Sequence, residues 1–324
     1  MLAAVRTRWG EPEQVVELKR VPKPEPADDQ VLVRVRATSI NRADYYFTAA
    51  PMILLRPTMG GFLKPKSELI GTDFSGVVET VGKDVTGFEP GDEVFGAHTG
   101  AFAEYVAARM LALKPANVTF EEAAAVSLSA LTALQALRDH GRLGTGQSVL
   151  VNRASGAVGT FAVPIAKALG AGAVTAVCRT HNVEQARELG ADRVIDYTQD
   201  DFTEGAERYD VIVDIAGSAP WRRIRRVLEP NGRLVMVGAQ ASGNPLIGPL
   251  GHILRTWIAS RFGSRKAVFF VAKFNQPDLE VLRELLESGK VRPAIERVYP
   301  FAQIADALTE MGEGHARAKL VVTL

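Results

Sequence analysis

Cysteine is nearly absent, Cys178 being the one such residue in 324. That excludes an intrachain disulfide framework and a cysteine-rich zinc site. A surplus of charge is missing too. Lysine plus arginine number 38 and aspartate plus glutamate 37, for a formal net charge of +1. Such a balance gives no general attraction to polyanions, so nucleic acid is not the expected partner. Long apolar runs are lacking as well. The N-terminal Met1-Leu-Ala-Ala-Val-Arg carries no core of signal-peptide length. The longest uncharged run, Leu234 to Leu254, is broken by Gly238, Gly243, Pro245, Gly248, Pro249 and Gly251. A membrane helix needs about 20 apolar residues, so a cytoplasmic protein without integral membrane association is expected. No Gly-x-Ser-x-Gly elbow appears, which disfavours serine-centred hydrolysis.

At about 100–200 residues per domain, the length predicts two domains. Two textures divide the chain accordingly. Up to about Asn117 the segments are short, β-rich and punctuated by turns. Gln30-Val-Leu-Val-Arg-Val-Arg-Ala alternates polar and apolar residues, the period of a half-buried strand. Phe88-Glu-Pro-Gly-Asp-Glu-Val-Phe-Gly sets a turn before another strand. A twisted, partly open barrel is expected there. From about Thr119, strands alternate with helices. Helices are predicted over Glu121–Leu137, Ala157–Leu169, Asn182–Leu189 and Ala219–Leu228, and strands over Ser148–Asn152, Ala173–Cys178, Arg193–Asp196, Tyr209–Ile215 and Arg233–Gly238. That alternation implies parallel βαβ units. A helix over Asp278–Ser288 and a strand over Lys319–Thr323 close the chain.

The strongest chemical signal is Val149-Leu-Val-Asn-Arg-Ala-Ser-Gly-Ala-Val-Gly. It reduces to Ala154-x-Gly156-x-x-Gly159 between a strand and a helix. In a dinucleotide site the middle glycine admits the pyrophosphate to the backbone, and the last lets helix and strand pack closely. The helix N-terminus adds donors and a positive dipole. Ala154 departs from the usual first glycine. A ribose 2′-hydroxyl would call for a carboxylate about 20 residues on. The second strand instead ends Val177-Cys178-Arg179-Thr180. Arg179 suits a 2′-phosphate and so NADPH, the alternative being a solvated loop residue.

These blocks, with others, carry a resemblance. Ser39-Ile-Asn-Arg-Ala-Asp, Gly71-Thr-Asp-Phe-Ser-Gly-Val-Val, Phe88 to Gly96, Gly100-Ala-Phe-Ala-Glu-Tyr, Ala154 to Gly159, Glu188-Leu-Gly-Ala-Asp, Glu287-Ser-Gly-Lys-Val-Arg-Pro and Gly314-His-Ala-Arg-Ala-Lys stand in order along nearly the whole length. The chain resembles the zinc-independent quinone oxidoreductase branch of the medium-chain dehydrogenase/reductase superfamily. The resemblance implies an α/β fold: a Rossmann doubly wound parallel sheet over 119–272, and a GroES-like, partly open β-barrel domain built from 1–118 and 273–324. It also implies a homodimer or a higher oligomer.

Zinc alcohol dehydrogenases of this superfamily hold their metal through cysteine and histidine. The matching positions here are Asn41, Thr72 and the region of Leu131, and His98, His140, His181, His252 and His315 show no ligand spacing. No zinc is expected. Without that Lewis acid, hydride transfer to a quinone or to the β-carbon of an α,β-unsaturated carbonyl is the easier chemistry, because the developing charge is delocalised. The protein then needs donors near the oxygen. By resemblance the donor is Tyr46, whose unperturbed pKa of about 10 leaves it protonated, with Tyr45 a rival. Asn41 is placed at the nicotinamide or its ribose, and Thr132 at the nicotinamide face. The cofactor set is completed by Ala154, Ser155, Gly156, Ala157, Val158, Gly159, Cys178, Arg179, Tyr197, Val237 and Lys319. Arg153 stands where the family often has a small residue, and Ala318 replaces the usual glycine.

Other features leave alternatives open. Phe47 to Leu63, with Met52, Ile53, Leu54, Leu55, Met59 and Phe62, is too apolar for an ordinary surface loop; it walls a pocket for an apolar carbonyl or quinone substrate, or it packs in a core or dimer contact. Leu250 to Phe262 has helix-face spacing and basic character: a helix over the substrate cleft or packed on it, or an interfacial membrane helix. Arg222, Arg225 and Arg226 would share a face of a predicted helix, normally a solvated one. Enoyl-thioester reduction, metal-free alcohol oxidation, and a regulatory or scaffolding NADP(H)-binding role with little turnover are the alternative functions.

Overall fold

A computed structural model of the chain describes residues 1–51, 56–57, 61–238, 250–314 and 316–324. Met52 to Leu55, Met59 and His315, all part of the sequence reading, lie outside the described residues. The chain divides into two compact units, Met1–Ser129 with Phe274–Leu324, and Ala130–Lys273.

The first unit begins with β1 (Leu2–Arg6), α1 (Pro12–Val15), β2 (Val16–Arg20), β3 (Val31–Ile40) and α2 (Arg42–Ala49). It continues through β4 (Asp73–Val81), β5 (Glu93–Ala97), β6 (Tyr105–Ala108), β7 (Met110–Leu113) and α3 (Phe120–Ala124). Helix α4 (Ser127–Gln135) passes the unit boundary. The second unit contains β8 (Ser148–Asn152), α5 (Gly159–Ala168), β9 (Ala173–Cys178), α6 (Val183–Glu188), β10 (Arg193–Asp196) and β11 (Tyr209–Asp214). Then follow α7 (Trp221–Ile224), β12 (Leu228–Met236), α8 (Leu250–Ala259) and β13 (Lys266–Phe269). The chain returns to the first unit with α9 (Gln276–Glu287), β14 (Ile295–Pro300), α10 (Ile304–Glu313) and β15 (Lys319–Thr323).

The second unit is built on a six-stranded sheet ordered β10-β9-β8-β11-β12-β13, with every pairing parallel. The short central strands β8, β9 and β11, buried on both faces, are what such a sheet requires. Leu150, Val177, Ile212, Leu234 and Met236 form its core with Ile224 and Ile253. This is the doubly wound parallel sheet implied by the alternation of strands and helices.

The first unit carries a sheet ordered β14-β15-β3-β4-β5-β7, with β6 also on β3, and the β1–β2 hairpin beside it. Strand β3 is shared along one edge: Val31–Arg34 pair with β6, and Ala37–Ile40 with β15. A register shift between Val35 and Ala37 bends the strand at that change of partner. Phe74, Val94, Val106 and Leu111 fill one side, and Ile40, Phe102, Leu308 and Leu320 another.

Two expected helices differ. Glu121–Leu137 is not continuous: α3, capped by Thr119 and Glu122, ends at Ala124, and α4 restarts at Ser127. The restart has a polar cause, since the Leu128 N–H donates to the Asp73 carboxylate at 3.0 Å and the Ser127 hydroxyl to the Gly96 carbonyl at 2.9 Å. Ala219–Leu228 shrinks to the four residues of α7, because Val227 and Leu228 are drawn to β11 as the start of β12. Arg225 and Arg226 therefore lie beyond the helix, and the shared arginine face does not form. Arg223 instead pairs with Asp201 at 2.9 Å.

Candidate functional site

The glycine loop joins the end of β8 to α5. Asn152, the last residue of β8, donates from Nδ2 to Asp214 Oδ1 at 2.8 Å, tying the ends of β8 and β11 together. The Gly217 N–H reaches the same oxygen at 2.8 Å. Asp214 is buried, and burial raises its pKa above the ordinary carboxylate value. Arg153 then takes φ +68°, a left-handed conformation uncommon for a side-chain-bearing residue. The turn is anchored by the Ala154 N–H on the Val177 carbonyl at 3.0 Å, and the Asn182 amide donates to Ser155 Oγ at 3.0 Å.

Two glycines have different reasons to be glycine. A Cβ on Gly159 would stand 2.3 Å from the Arg153 carbonyl oxygen and 2.7 Å from Ala154 backbone carbons. Loop and helix therefore meet backbone to backbone. A Cβ on Gly156 would meet nothing nearer than Arg153 Nε, at 3.3 Å. The backbone N–H groups of Ser155, Ala157 and Val158 donate to no acceptor among the described residues. Unspent donors at a helix N-terminus fit an anionic pyrophosphate.

Strand β9 ends at Cys178, buried, with its thiol pushed up to about 11 by burial. Arg179 follows, exposed and without an ion pair among the described residues. The neighbouring strand end does carry an acid that sequence reasoning overlooked: Asp196 on β10, in register with Cys178. Its oxygens are occupied by the Thr198 N–H and hydroxyl at 3.0 and 2.8 Å and by Gln199 Nε2 at 3.3 Å. A hydrogen bond from Thr180, first of all, holds its pKa low. Tyr197 is largely exposed and donates its N–H to the Cys178 carbonyl at 3.0 Å, while Val237 follows β12 with its N–H on the Asp214 carbonyl at 2.9 Å. The C-terminal edge of the parallel sheet thus brings together Ala154 to Gly159, Cys178, Arg179 and Val237, with Tyr197 after β10. Thr132 is half-buried on α4.

Asn41 and Lys319 belong to the first unit, within a buried polar cluster. Lys319 and Asp73 are fully buried. Lys319 Nζ donates to Asn41 Oδ1 at 2.7 Å and to Asp73 Oδ2 and Ser129 Oγ at 3.4 Å, matching the three donors of an ammonium. Asn41 Nδ2 donates to Asp73 Oδ2 at 2.9 Å, and Ser39 Oγ to the same oxygen at 3.1 Å. Burial lowers the Lys319 pKa, against the opposing pull of Asp73 and Asp44. Asp44, third residue of α2, accepts the Asn41 N–H at 2.8 Å and the Thr72 hydroxyl at 2.7 Å. Burial pushes its pKa up to about 6. Sequence reasoning assigned no role to Asp44, Asp73 or Ser129. The signal for the two acids was there: an Asn-x-x-Asp helix start, and an aspartate heading a strand whose first half is buried.

On α2 the two tyrosines separate. The Tyr45 hydroxyl donates to Glu11 at 3.3 Å, and a Cβ on Gly312 would lie 2.3 Å from its ring. Tyr46, half-buried, keeps a hydroxyl with no hydrogen bond among the described residues. Arg42 lies 5.7 and 5.3 Å from the two ring centroids. In the apolar stretch before β4, Phe47, Phe62 and Leu63 are exposed. Among the described residues no group of three histidine, cysteine, aspartate or glutamate side chains is set to hold a metal ion.

Comparison with known proteins adds relatives. Residues 27–116 match the family model of the alcohol dehydrogenase GroES-like domain, and residues 189–322 that of a zinc-binding dehydrogenase. The chain is 33% identical over 329 residues to the Mus musculus protein called NAD(P)H oxidoreductase RTN4IP1, mitochondrial, covering 91% of this chain and 82% of that one. It is 31% identical over 322 residues to an Arabidopsis thaliana NADPH-dependent alkenal/one oxidoreductase, chloroplastic, covering 92% and 73%. The structure of the quinone oxidoreductase from Coxiella burnetii superposes with a TM-score of 0.85 at 29% identity, over 100% of this chain and 99% of that one.

Two predictions follow from the geometry of these residues. Gly159→Ala is expected to cost about 1–3 kcal/mol in urea unfolding, whereas Gly156→Ala, whose nearest neighbour is an Arg153 side-chain atom at 3.3 Å, shifts the midpoint far less. Asp44 is raised from 3.8 to about 6, so its neutral form is the one the fold favours. Its contribution is present below pH 4 and lost as the pH rises through 6, on the order of 3 kcal/mol in all. Asp44→Asn should therefore gain stability relative to wild type between pH 4 and pH 7, read as urea midpoints; a difference flat with pH would clear Asp44.

Proposed function

Because the chain belongs to the quinone oxidoreductase branch of the medium-chain dehydrogenase/reductase superfamily, we propose that it transfers hydride from NADPH to a quinone or an α,β-unsaturated carbonyl without zinc. The observation that carries this reading is the loop from Ala154 to Gly159, with its unspent N–H donors, beside a strand that is followed by Arg179 instead of an acid.

When bound, the reduced nicotinamide supplies the hydride. The N–H groups of Ser155, Ala157 and Val158 bind the pyrophosphate. Arg179 pairs with the 2′-phosphate, and the nearest strand-end acid, Asp196, is already occupied by Thr198 and Gln199. Val237 and Tyr197 complete the same sheet edge. Asn41 has a second Nδ2 hydrogen beyond the one held by Asp73, and Lys319 fixes the amide's orientation through Oδ1, which leaves Asn41 a donor to offer a ligand. Thr132 contacts the nicotinamide face. Cys178 stays a neutral wall residue.

Tyr46 provides the proton or hydrogen bond to the developing oxyanion. Its hydroxyl is uncommitted, while that of Tyr45 is held by Glu11. The zinc-free reading is supported by the same cluster: Asn41 and Thr72 are engaged by Asp73, Lys319 and Asp44, and a divalent cation at Asn41 would face the Lys319 ammonium. Among the described residues no helix is long and apolar enough to cross a membrane. The proposal includes a cytoplasmic homodimer.

Fluorescence titration of metal-free protein should give NADPH-selective binding, followed by oxidation of NADPH with quinone and enone acceptors. Arg179→Ala should raise the KM for NADPH about a hundredfold while leaving that for NADH unchanged, as the loss of a charge-assisted phosphate contact predicts; equal effects on the two would refute its role. Tyr46→Phe should lower kcat about 10²-fold at unchanged NADPH affinity. Wild-type turnover in that variant would remove the tyrosine from the mechanism.

A further inference from the structure

Helix α8 presents a buried arc and an exposed one. Ile253, Thr256 and Ser260 are buried, and Ile253 joins the core of the second unit. Leu250, Leu254, Trp257 and Ile258, spaced four, three and one apart, form the other arc and are 37–56% exposed. Phe262, just beyond the helix, is 84% exposed. Single exposed apolar residues are ordinary, but five on one short segment are not.

The charges carried by this segment are of one sign. Arg255, Arg261 and Lys266 are exposed, Arg265 is half-buried, and Arg261 lies 5.1 Å from the Trp257 ring centroid. From Pro230 to Pro277 the sequence contains no aspartate or glutamate. A second copy docking by a two-fold would set these cations against their own duplicates with no carboxylate from the segment to pair them. A nucleic acid would satisfy the cations and leave the five apolar side chains without a partner. An anionic bilayer satisfies both: apolar side chains enter the headgroup–acyl boundary, tryptophan sits at the interface, and arginine and lysine meet lipid phosphates.

We propose that the outer face of α8, with Phe262, docks the protein peripherally on an anionic lipid surface. This surface stands apart from the catalytic reading and does not depend on it. The probe is co-sedimentation with vesicles of phosphatidylcholine and phosphatidylglycerol in equal parts, set against phosphatidylcholine alone. Wild type is expected to bind the anionic vesicles only, and less at high salt. Trp257 emission should shift to the blue on binding in a Trp9→Phe, Trp221→Phe background. Leu254→Glu with Ile258→Glu should lower the bound fraction about tenfold while preserving the melting temperature. Arg255→Glu with Arg261→Glu, both at exposed positions, gives the same readout should the first pair fail to fold. Absence of wild-type binding, or binding undiminished in both double variants, would overturn the proposal. So would a change of the wild-type oligomer to monomer in Leu254→Glu with Ile258→Glu, by analytical ultracentrifugation, since the face would then belong to a second copy.

Discussion

A lysine ammonium with no access to water is the constraint on which the first unit depends. Lys319 sits at the start of the last strand, and its three donors reach Asn41, Asp73 and Ser129. Removing an ammonium and a carboxylate from water costs several kcal/mol per ion, offset only when geometry and further hydrogen bonds are complete. Here they are: Asp73 accepts from Asn41, Ser39 and the first turn of α4 as well. One pair of charges therefore sets the C-terminal strand, the start of α2, the head of β4 and the restart of α4. Losing any one partner would leave a charge buried with its other contacts incomplete, which is why these distant segments must fold together.

The parallel sheet was legible because its central strands are short, doubly buried and bounded by turns. Ser148–Asn152 and Ala173–Cys178 read directly from their apolar runs. The helices were harder where tertiary contacts overruled periodicity. Nothing in the alanine-rich run after Glu121 announces that Asp73, far away in sequence, will capture the Leu128 N–H and start a new helix. Likewise Val227 and Leu228 fit a helical pattern, but Leu228 opens β12 beside β11 and the Val227 carbonyl accepts the Tyr209 N–H. Pattern within a window sees propensity; it does not see the partner.

The glycine loop of the candidate site was legible for the opposite reason, since its logic is local. Gly159 must be glycine because its own loop crowds it, and Arg179 is informative because of where its strand stops. The cluster around Lys319 was not, because its members are scattered from Ser39 to Lys319 and are individually ordinary polar residues. Tyr45 and Tyr46, adjacent in sequence, differ in a way no local pattern shows, namely whether the Glu11 carboxylate, just before α1, and the backbone at Gly312 lie against the ring.

The single thiol has a meaning in the light of the proposed substrates. Quinones and enones are Michael acceptors that alkylate thiolates, and any protein handling them works amid its own potential inhibitors. Cys178 is buried, its pKa stands at about 11, and no other cysteine exists in the chain. At neutral pH the thiolate that electrophiles seek is almost unpopulated, and the sulfur is shielded from approach. The protein is thereby built to survive the reactive compounds it consumes.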